Sequence, residues 1–269
     1  LLYIRRLRSF IENTMDKDKV EILGIEINNL SMQKAVEEIE KFIKEKSSKY
    51  IVTPNLDHLL KLQKDSEFRK IYNEAHLVLC DGLPIVWISR ILGMPLKERV
   101  AGSDLFIELC KVSAQKGYKL FFLGGRDNAS VKASEVLRRK YPGIKIVGAY
   151  SPPFGFEKNK EENEKIIKMI KEAKPDILFV GLGAPKQEKW IYAHYKELGV
   201  PVSIGIGASF EFAAGIIKRA PKFLQKIGLE WFWRVLTEPK RLWERYLVDD
   251  MKFLVKIILT AILKKKENR

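Results

Sequence analysis

Short apolar runs separated by helix-length segments constrain this chain more than any other feature. Tyr50–Val52, Leu77–Cys80, Lys119–Leu123, Ile144–Val147, Ile177–Val180 and Val202–Ile206 are each too short for a buried helix and are flanked by Gly, Pro, Asn or Asp. Strands buried on both faces read this way, and their alternation with helical patterns of roughly 10–16 residues is the signature of βαβ units. The expected fold is therefore α/β: a Rossmann-like, largely parallel sheet with helices on both faces. A further strand is expected at Val20–Ile27, followed by Ser31 as N-cap of a helix through about Lys46 that carries Ala35, Val36, Ile39, Phe42 and Ile43 at helical spacing. Residues 15–214 read as one such domain without internal repeats, residues 1–14 as an N-terminal extension outside the fold, and residues 215–269 as an appendage. A hydrophobic content of 46% is ample for this core and excludes wholesale disorder.

Open α/β sheets bind ligands at the carboxyl ends of their strands. The residues there are Thr53-Pro54-Asn55, Asp81-Gly82, Gly124-Gly125, Gly181-Leu182-Gly183-Ala184-Pro185-Lys186-Gln187 and Gly205-Ile206-Gly207-Ala208-Ser209. Glycines let a ligand approach the backbone, and N–H groups at helix starts suit phosphate oxygens. Turns need Gly, Pro and Asn in any case, but five such clusters on one edge point to a cleft.

The chemistry narrows by exclusion. No GxGxxG opens the first βαβ unit and no GxxxxGK[ST] occurs, so nicotinamide and ATP lose their strongest sequence support and no cofactor is expected. Cys80 and Cys110 lack CxxC spacing and His58, His76 and His194 form no ligand pair, which argues against a disulfide scaffold or zinc module. The Asp16-Lys17-Asp18 string lies in a polar N-terminal stretch and is not read as a metal site. A departing diphosphate would then be met by Arg, Lys and backbone N–H groups. Asp81 ends an apolar run at the expected cleft mouth, where it either accepts a proton from a substrate hydroxyl or caps the helix beginning near Leu83. Arg99 pairs either with phosphate or with Glu98 or Asp104. Cys80 reads as a buried structural thiol and His58 as an ordinary helix residue.

The net charge of +15 is uneven, with 14 basic and 6 acidic residues in 215–269. Trp231, Trp233 and Trp243 interleave there with Arg234, Arg241 and Arg245. Aromatic and basic residues together can bind single strands, but short helices broken by Pro239 form no nucleic-acid module, and no nucleic acid partner is expected. In the last helix Lys252, Lys256, Thr260 and Lys264 line one stripe and apolar residues fill the rest. Such a helix lies in a bilayer interface with Lys264-Lys265-Lys266 near anionic headgroups, or packs as a core or dimer helix. The longest apolar run, Phe253 to Leu263, is broken by Lys256 and falls short of the ~20 residues a spanning helix needs. No signal peptide is read, so a cytoplasmic location is expected.

The ordered strings VTPNLDHL (52–59), CDGLPIVW (80–87), ERVAGSDL (98–105), FFLGG (121–125), VGLGAPKQEKWI (180–191), GIGASFEFAAG (205–215), KRAP (218–221) and GLEWFWRVLTEPKRLWERYL (228–247) resemble the WecG/TagA/CpsF family of bacterial glycosyltransferases, most closely its TagA branch. The resemblance implies an inverting, metal-independent transfer of N-acetylmannosamine from UDP-N-acetylmannosamine to the 4-hydroxyl of N-acetylglucosamine on undecaprenyl diphosphate. The linkage would be β-1,4, a step in making the wall teichoic acid linkage unit. It further implies a peripheral enzyme on the inner face of the cell membrane, whose partners are the sugar nucleotide, the polyprenyl-diphosphate-linked acceptor and an anionic membrane surface. A homo-oligomer stays open. Position by position, Asp81 matches the family's candidate base, Thr53 and Asn55 its acceptor and donor pocket, Arg99 and Gln187 its basic and amide residues, and Arg234, Arg241 and Arg245 its C-terminal arginines. The strand-end glycines Gly124, Gly125 and Gly207 complete the expected substrate-binding set. The alternatives are transfer of the uronic acid form of the donor sugar into a surface polysaccharide, or a nucleotide-binding module without catalysis.

Overall fold

The apolar runs become strands because layers of amphipathic helices cover both faces of the sheet they form, most completely at its central strands. The computed structural model describes residues 18–257 and 259, without the side chains of Lys226, Arg241, Arg245 and Tyr246. The expected extension at residues 1–14, Asp16 and Lys17, Thr260 and Lys264–Lys266 therefore lie outside the described residues.

Val20–Ile27, expected as one strand, is instead a hairpin. Strands β1 (Lys19–Ile22) and β2 (Ile25–Asn28) pair antiparallel across Leu23 and Gly24, whose φ angles of 53° and 83° give the tight turn that matches strand twist. The remaining strands are β3 (Lys49–Val52), β4 (Leu77–Val78), β5 (Lys119–Gly124), β6 (Lys145–Tyr150), β7 (Ile177–Gly181) and β8 (Val202–Gly205). All six pair in parallel in the order β4-β3-β8-β7-β5-β6. The hairpin guards the outer edge of this sheet, where Asn28 Oδ1 accepts the Val78 N–H at 2.8 Å.

Helices Leu56–Leu62, Ser66–Asn73, Leu83–Ile91, Lys160–Ala173 and Lys186–Leu198 cover one face. Helices Met32–Glu45, Gly102–Lys116, Ala129–Lys140 and Ser209–Ala213 cover the other, where Phe106, Phe122, Phe179 and Phe210 pack ring against ring. Ser31 caps the first of these, accepting the Lys34 N–H at 3.3 Å.

Register brings the strand ends level: Gly124 lies opposite Gly181, and Val180 opposite Gly205. β3 and β8 are neighbours, yet β3 leads to Leu56–Leu62 on one face and β8 to Ser209–Ala213 on the other. Diverging connections leave a crevice at the carboxyl edge, the usual ligand position in such sheets.

The chain then crosses this edge through short helices Lys222–Lys226, Glu230–Thr237 and Pro239–Trp243, a π-helical stretch Glu244–Asp250, and helical residues 251–257. Ile257 is buried in the same apolar layer as Leu56 and Leu59, with Phe253 and Leu254 packed beside it. Leu247, Met251, Val255 and Leu259, spaced four residues apart, remain exposed. Among the described residues no helix is long and apolar enough to cross a membrane.

Candidate active site

A cleft of about 520 Å³ opens where the strand ends and the C-terminal helices meet. Its floor comes from the β3, β4, β7 and β8 exits and its roof from residues 228–254. Thr53, Asn55, Asp81, Arg99, Gln187, Gly207 and Arg234, all chosen from the sequence, line it together.

Asp81 lies three residues past the end of β4 and two before the helix Leu83–Ile91. The cap position belongs to Gly82, which makes no side-chain cap bond, so Asp81 is not the helix cap. The backbone N–H of Asp81 donates to Pro54 O at 2.9 Å, which fixes the turn. Its carboxylate makes no hydrogen bond or ion pair among the described residues and faces the cleft. Burial pushes this carboxyl up to about 6; Glu230 and Asp104 add to the rise, against Arg99 and Arg219. Beside it, Cys80 is turned into the core, donating to Gly82 O at 3.4 Å, and burial lifts its thiol to about 12. That is an inert structural thiol.

Thr53, Asn55 and Gln187 hold the walls. Thr53 Oγ1 donates to Gly205 O at 3.4 Å, joining the ends of β3 and β8. Asn55 caps Leu56–Leu62, its Oδ1 accepting the His58 N–H at 3.2 Å. Gln187 is only 2% exposed. Its Oε1 accepts N–H bonds from Gly183 at 3.2 Å and Gly207 at 3.0 Å, while its Nε2 donates to Glu188 Oε1 at 2.8 Å. Glu188 is buried, and this burial raises its carboxyl to about 7.

Of the two carboxylate partners expected for Arg99, the structure shows Asp104 and adds a third residue, Glu230. Glu98 is not its partner, since that carboxylate accepts the Met32 N–H at 3.0 Å. Arg99 instead pairs with Asp104 at 3.1 Å and with Glu230 at 3.2 Å, and Arg219 pairs with the same two carboxylates at 2.6 and 3.0 Å. Four side chains thus close a ring that ties the roof helix Glu230–Thr237 to the sheet domain. Arg234 reaches the cleft over the Phe212 ring, 5.7 Å from its centroid, and touches Glu238 at 3.5 Å. Arg126, from the β5 exit, approaches the other oxygen of Glu238, also at 3.5 Å.

Two glycines do not come to the cleft. Gly124 and Gly125 do not line it; they serve the backbone. At Gly124, with φ 105°, a Cβ would lie 2.5 Å from Gly181 O, and at Gly125, with φ 77°, 2.8 Å from Ala129 Cβ. Arg241 and Arg245 lie in the helical roof segment, and their side chains are outside the described residues. His58, read as an ordinary helix residue, does line the cleft, with Nδ1 2.7 Å from Tyr72 Oη. Sequence reasoning passed over Arg126, Arg219 and Glu230. Arg126 stood next to the strand-end glycines, a usable signal; Arg219 and Glu230 lie within the KRAP and GLEWFWRVL strings, but their pairing with Arg99 and Asp104 is remote in sequence and left no local mark. Among the described residues no group of three or more His, Cys, Asp or Glu is arranged to hold a metal ion.

Comparison with known proteins agrees with this geometry. The model of the Glycosyl transferase WecG/TagA/CpsF family matches residues 20–268. N-acetylglucosaminyldiphosphoundecaprenol N-acetyl-beta-D-mannosaminyltransferase of Staphylococcus aureus strain NCTC 8325 / PS 47 is 33% identical over 234 residues, 86% of this chain and 90% of the relative. Proteins of the same name from strains COL and MRSA252 align with the same identity and coverage. The chain belongs to the WecG/TagA/CpsF family and is a glycosyl transferase.

Proposed function

We propose that the protein transfers N-acetylmannosamine from UDP-N-acetylmannosamine to the 4-hydroxyl of N-acetylglucosamine on undecaprenyl diphosphate, with inversion and without a metal ion. The observation that carries this reading is the Asp81 carboxylate, which lines a strand-end cleft without a hydrogen bond or ion pair among the described residues, in a chain whose relatives are named N-acetylglucosaminyldiphosphoundecaprenol N-acetyl-beta-D-mannosaminyltransferase. Asp81 takes the acceptor proton as the oxygen attacks the anomeric carbon. The carbon–oxygen bond to UDP breaks on the opposite side, and its electron pair leaves with the diphosphate. A carboxyl near 6 is largely ionised at neutral pH yet more basic than an ordinary aspartate, a combination suited to a general base.

Arg234 and Arg126 support the departing diphosphate in this reading. Each holds Glu238 only loosely, at 3.5 Å, and can exchange that carboxylate for phosphate oxygens. The exposed stripe Leu247, Met251, Val255 and Leu259, with Lys252 and Lys256 beside it, suits a peripheral contact with an anionic bilayer surface, where a polyprenyl acceptor resides.

The test is release of UDP from UDP-N-acetylmannosamine with a lipid-diphosphate-N-acetylglucosamine acceptor, run with and without EDTA and against the uronic acid donor. Asp81→Asn is expected to lower kcat by about 10²–10⁴-fold with the fold intact. Near-normal turnover by that variant defeats the base assignment. Preference for the uronic donor, or loss of activity in EDTA, overturns the donor or the metal-independent step.

A further inference from the structure

The ring formed by Arg99, Asp104, Arg219 and Glu230 borders the cleft that holds Asp81: Arg99 and Glu230 line it together with that carboxylate, and the charges of all four act on it. Two guanidinium groups stand near a catalytic carboxylate that pairs with neither. Arg99 spends one terminal nitrogen on Asp104 at 3.1 Å and the other on Glu230 at 3.2 Å, across 131 residues of sequence. Arg219 spends Nη1 on Asp104 at 2.6 Å and Nε on Glu230 at 3.0 Å. All four side chains are largely shielded from water, with Asp104 the most exposed at 36%. Ion pairs in such surroundings hold firmly, and removing one partner frees the other to seek a new charge.

We propose that Glu230 and Asp104 are positioning residues for Asp81: by holding Arg99 and Arg219 in a closed ring they keep both guanidiniums off the catalytic carboxylate. Because Glu230 belongs to the roof helix, seating that helix completes the ring and readies the base. This rests on the assignment of Asp81 as the base. Among the described residues, the groups that act on Asp81 are these four, together with the adjacent Cys80 and with Tyr72 from helix Ser66–Asn73, while His58, Arg126 and Arg234 line the same cleft. Burial raises both the Cys80 thiol and the Tyr72 phenol, so each stays neutral over the working pH range. Among the described residues, the charges that act on Asp81 are thus two arginines against two carboxylates. Glu230 and Asp104 act on it twice: each repels the Asp81 charge directly, and each occupies the guanidiniums. Loss of either therefore makes Asp81 a stronger acid and a weaker base.

The experiment is the pH dependence of kcat/KM for the full chain and for Glu230→Gln and Asp104→Asn, with Asp81→Asn as reference and thermal melting as a fold control. The two test residues lie on different elements, so a folding defect in one leaves the other informative. Both variants are expected to move the acid limb down by about one pH unit and to lower the plateau several-fold. A merely structural ring would lower melting and leave the limb in place. An unmoved limb, a limb displaced upward, or complete loss of activity in both folded variants overturns the proposal. If Asp81→Asn retains turnover, the base assignment itself fails; if it is inactive while the limb stays put, only the role of the ring fails.

Discussion

The side-chain carbonyl of Gln187 accepts the backbone N–H of Gly207 at 3.0 Å and so joins the β7 and β8 exit loops. The same oxygen takes the Gly183 N–H at 3.2 Å, and the amide nitrogen is oriented by buried Glu188 at 2.8 Å. Gln187 therefore shapes the cleft floor as well as lining it. Gln187→Ala leaves two loop N–H groups and a buried carboxyl without their partner. A loss of about 1–3 kcal/mol in chemical denaturation is expected, together with weaker donor binding. Unchanged denaturation and kinetics would show that the loops hold without this clamp.

Glycines of similar sequence context should differ sharply. A Cβ at Gly124 meets Gly181 O at 2.5 Å, whereas one at Gly183 meets nothing within 4 Å. Both have positive φ, 105° and 75°, so each substitution carries backbone strain. Gly183→Ala is expected to cost about 1 kcal/mol, and Gly124→Ala several times more, because the parallel pairing of β5 and β7 must shift. Soluble yield and urea midpoints measure the contrast. Equal effects would mean that the close approach of the strands is not what selects glycine at Gly124.

The proposed function gives diphosphate recognition to Arg126 and Arg234. Replacing either by Ala should weaken UDP binding roughly ten- to hundredfold, the range for a hydrogen bond to a charged group. Calorimetric titration with UDP and with uridine separates the contributions: uridine affinity should hardly change. A UDP affinity that survives both substitutions would move the diphosphate elsewhere in the cleft.

Asp81 links activity and stability through its proton. Its folded value, about 6, lies above the ordinary carboxylate value, so between these limits the native state holds more protons than the unfolded chain. This contribution to stability is present at acid pH and is lost as pH rises through about 6. With Asp81 as the proposed base, activity is expected to run the other way, kcat/KM falling below about pH 6 as that carboxylate is protonated. Asp81→Asn removes the buried charge and is expected to melt a few degrees higher than the parent at pH 8 while being inactive. Melting at or below the parent's would show that the ionised carboxylate is better accommodated than its surroundings imply.

Membrane contact should depend on the exposed stripe. Val255 and Leu247 are 47% exposed. Their double replacement by Glu should reduce cosedimentation with anionic vesicles by at least about tenfold, from lost apolar burial and added repulsion. Turnover with a short-chain, water-soluble acceptor should be retained. Equal vesicle binding by parent and variant would place the contact on another surface.

Local pattern was enough to locate most of the sheet and its working edge. Strands β3, β4, β5, β7 and β8 announce themselves as apolar runs because both faces are largely buried, whereas the edge strand β6 buries mainly Ile146. Thr53, Asn55, Asp81, Gln187 and Gly207 could be selected because ligand-binding positions follow strand ends in any open parallel sheet. The split of Val20–Ile27 into a hairpin turned on the φ angles of Leu23 and Gly24, which an alternating pattern does not display. What tertiary structure alone decided is the order β4-β3-β8-β7-β5-β6 and everything that follows from proximity across it. One of the two partners of Arg99 is Glu230, 131 residues away, and the positions of His58 and Arg126 in the cleft depend on which connections diverge at its edge. Periodicity is written within a dozen residues of the chain, whereas charge pairing and cleft geometry depend on distances in space that only the packed fold creates.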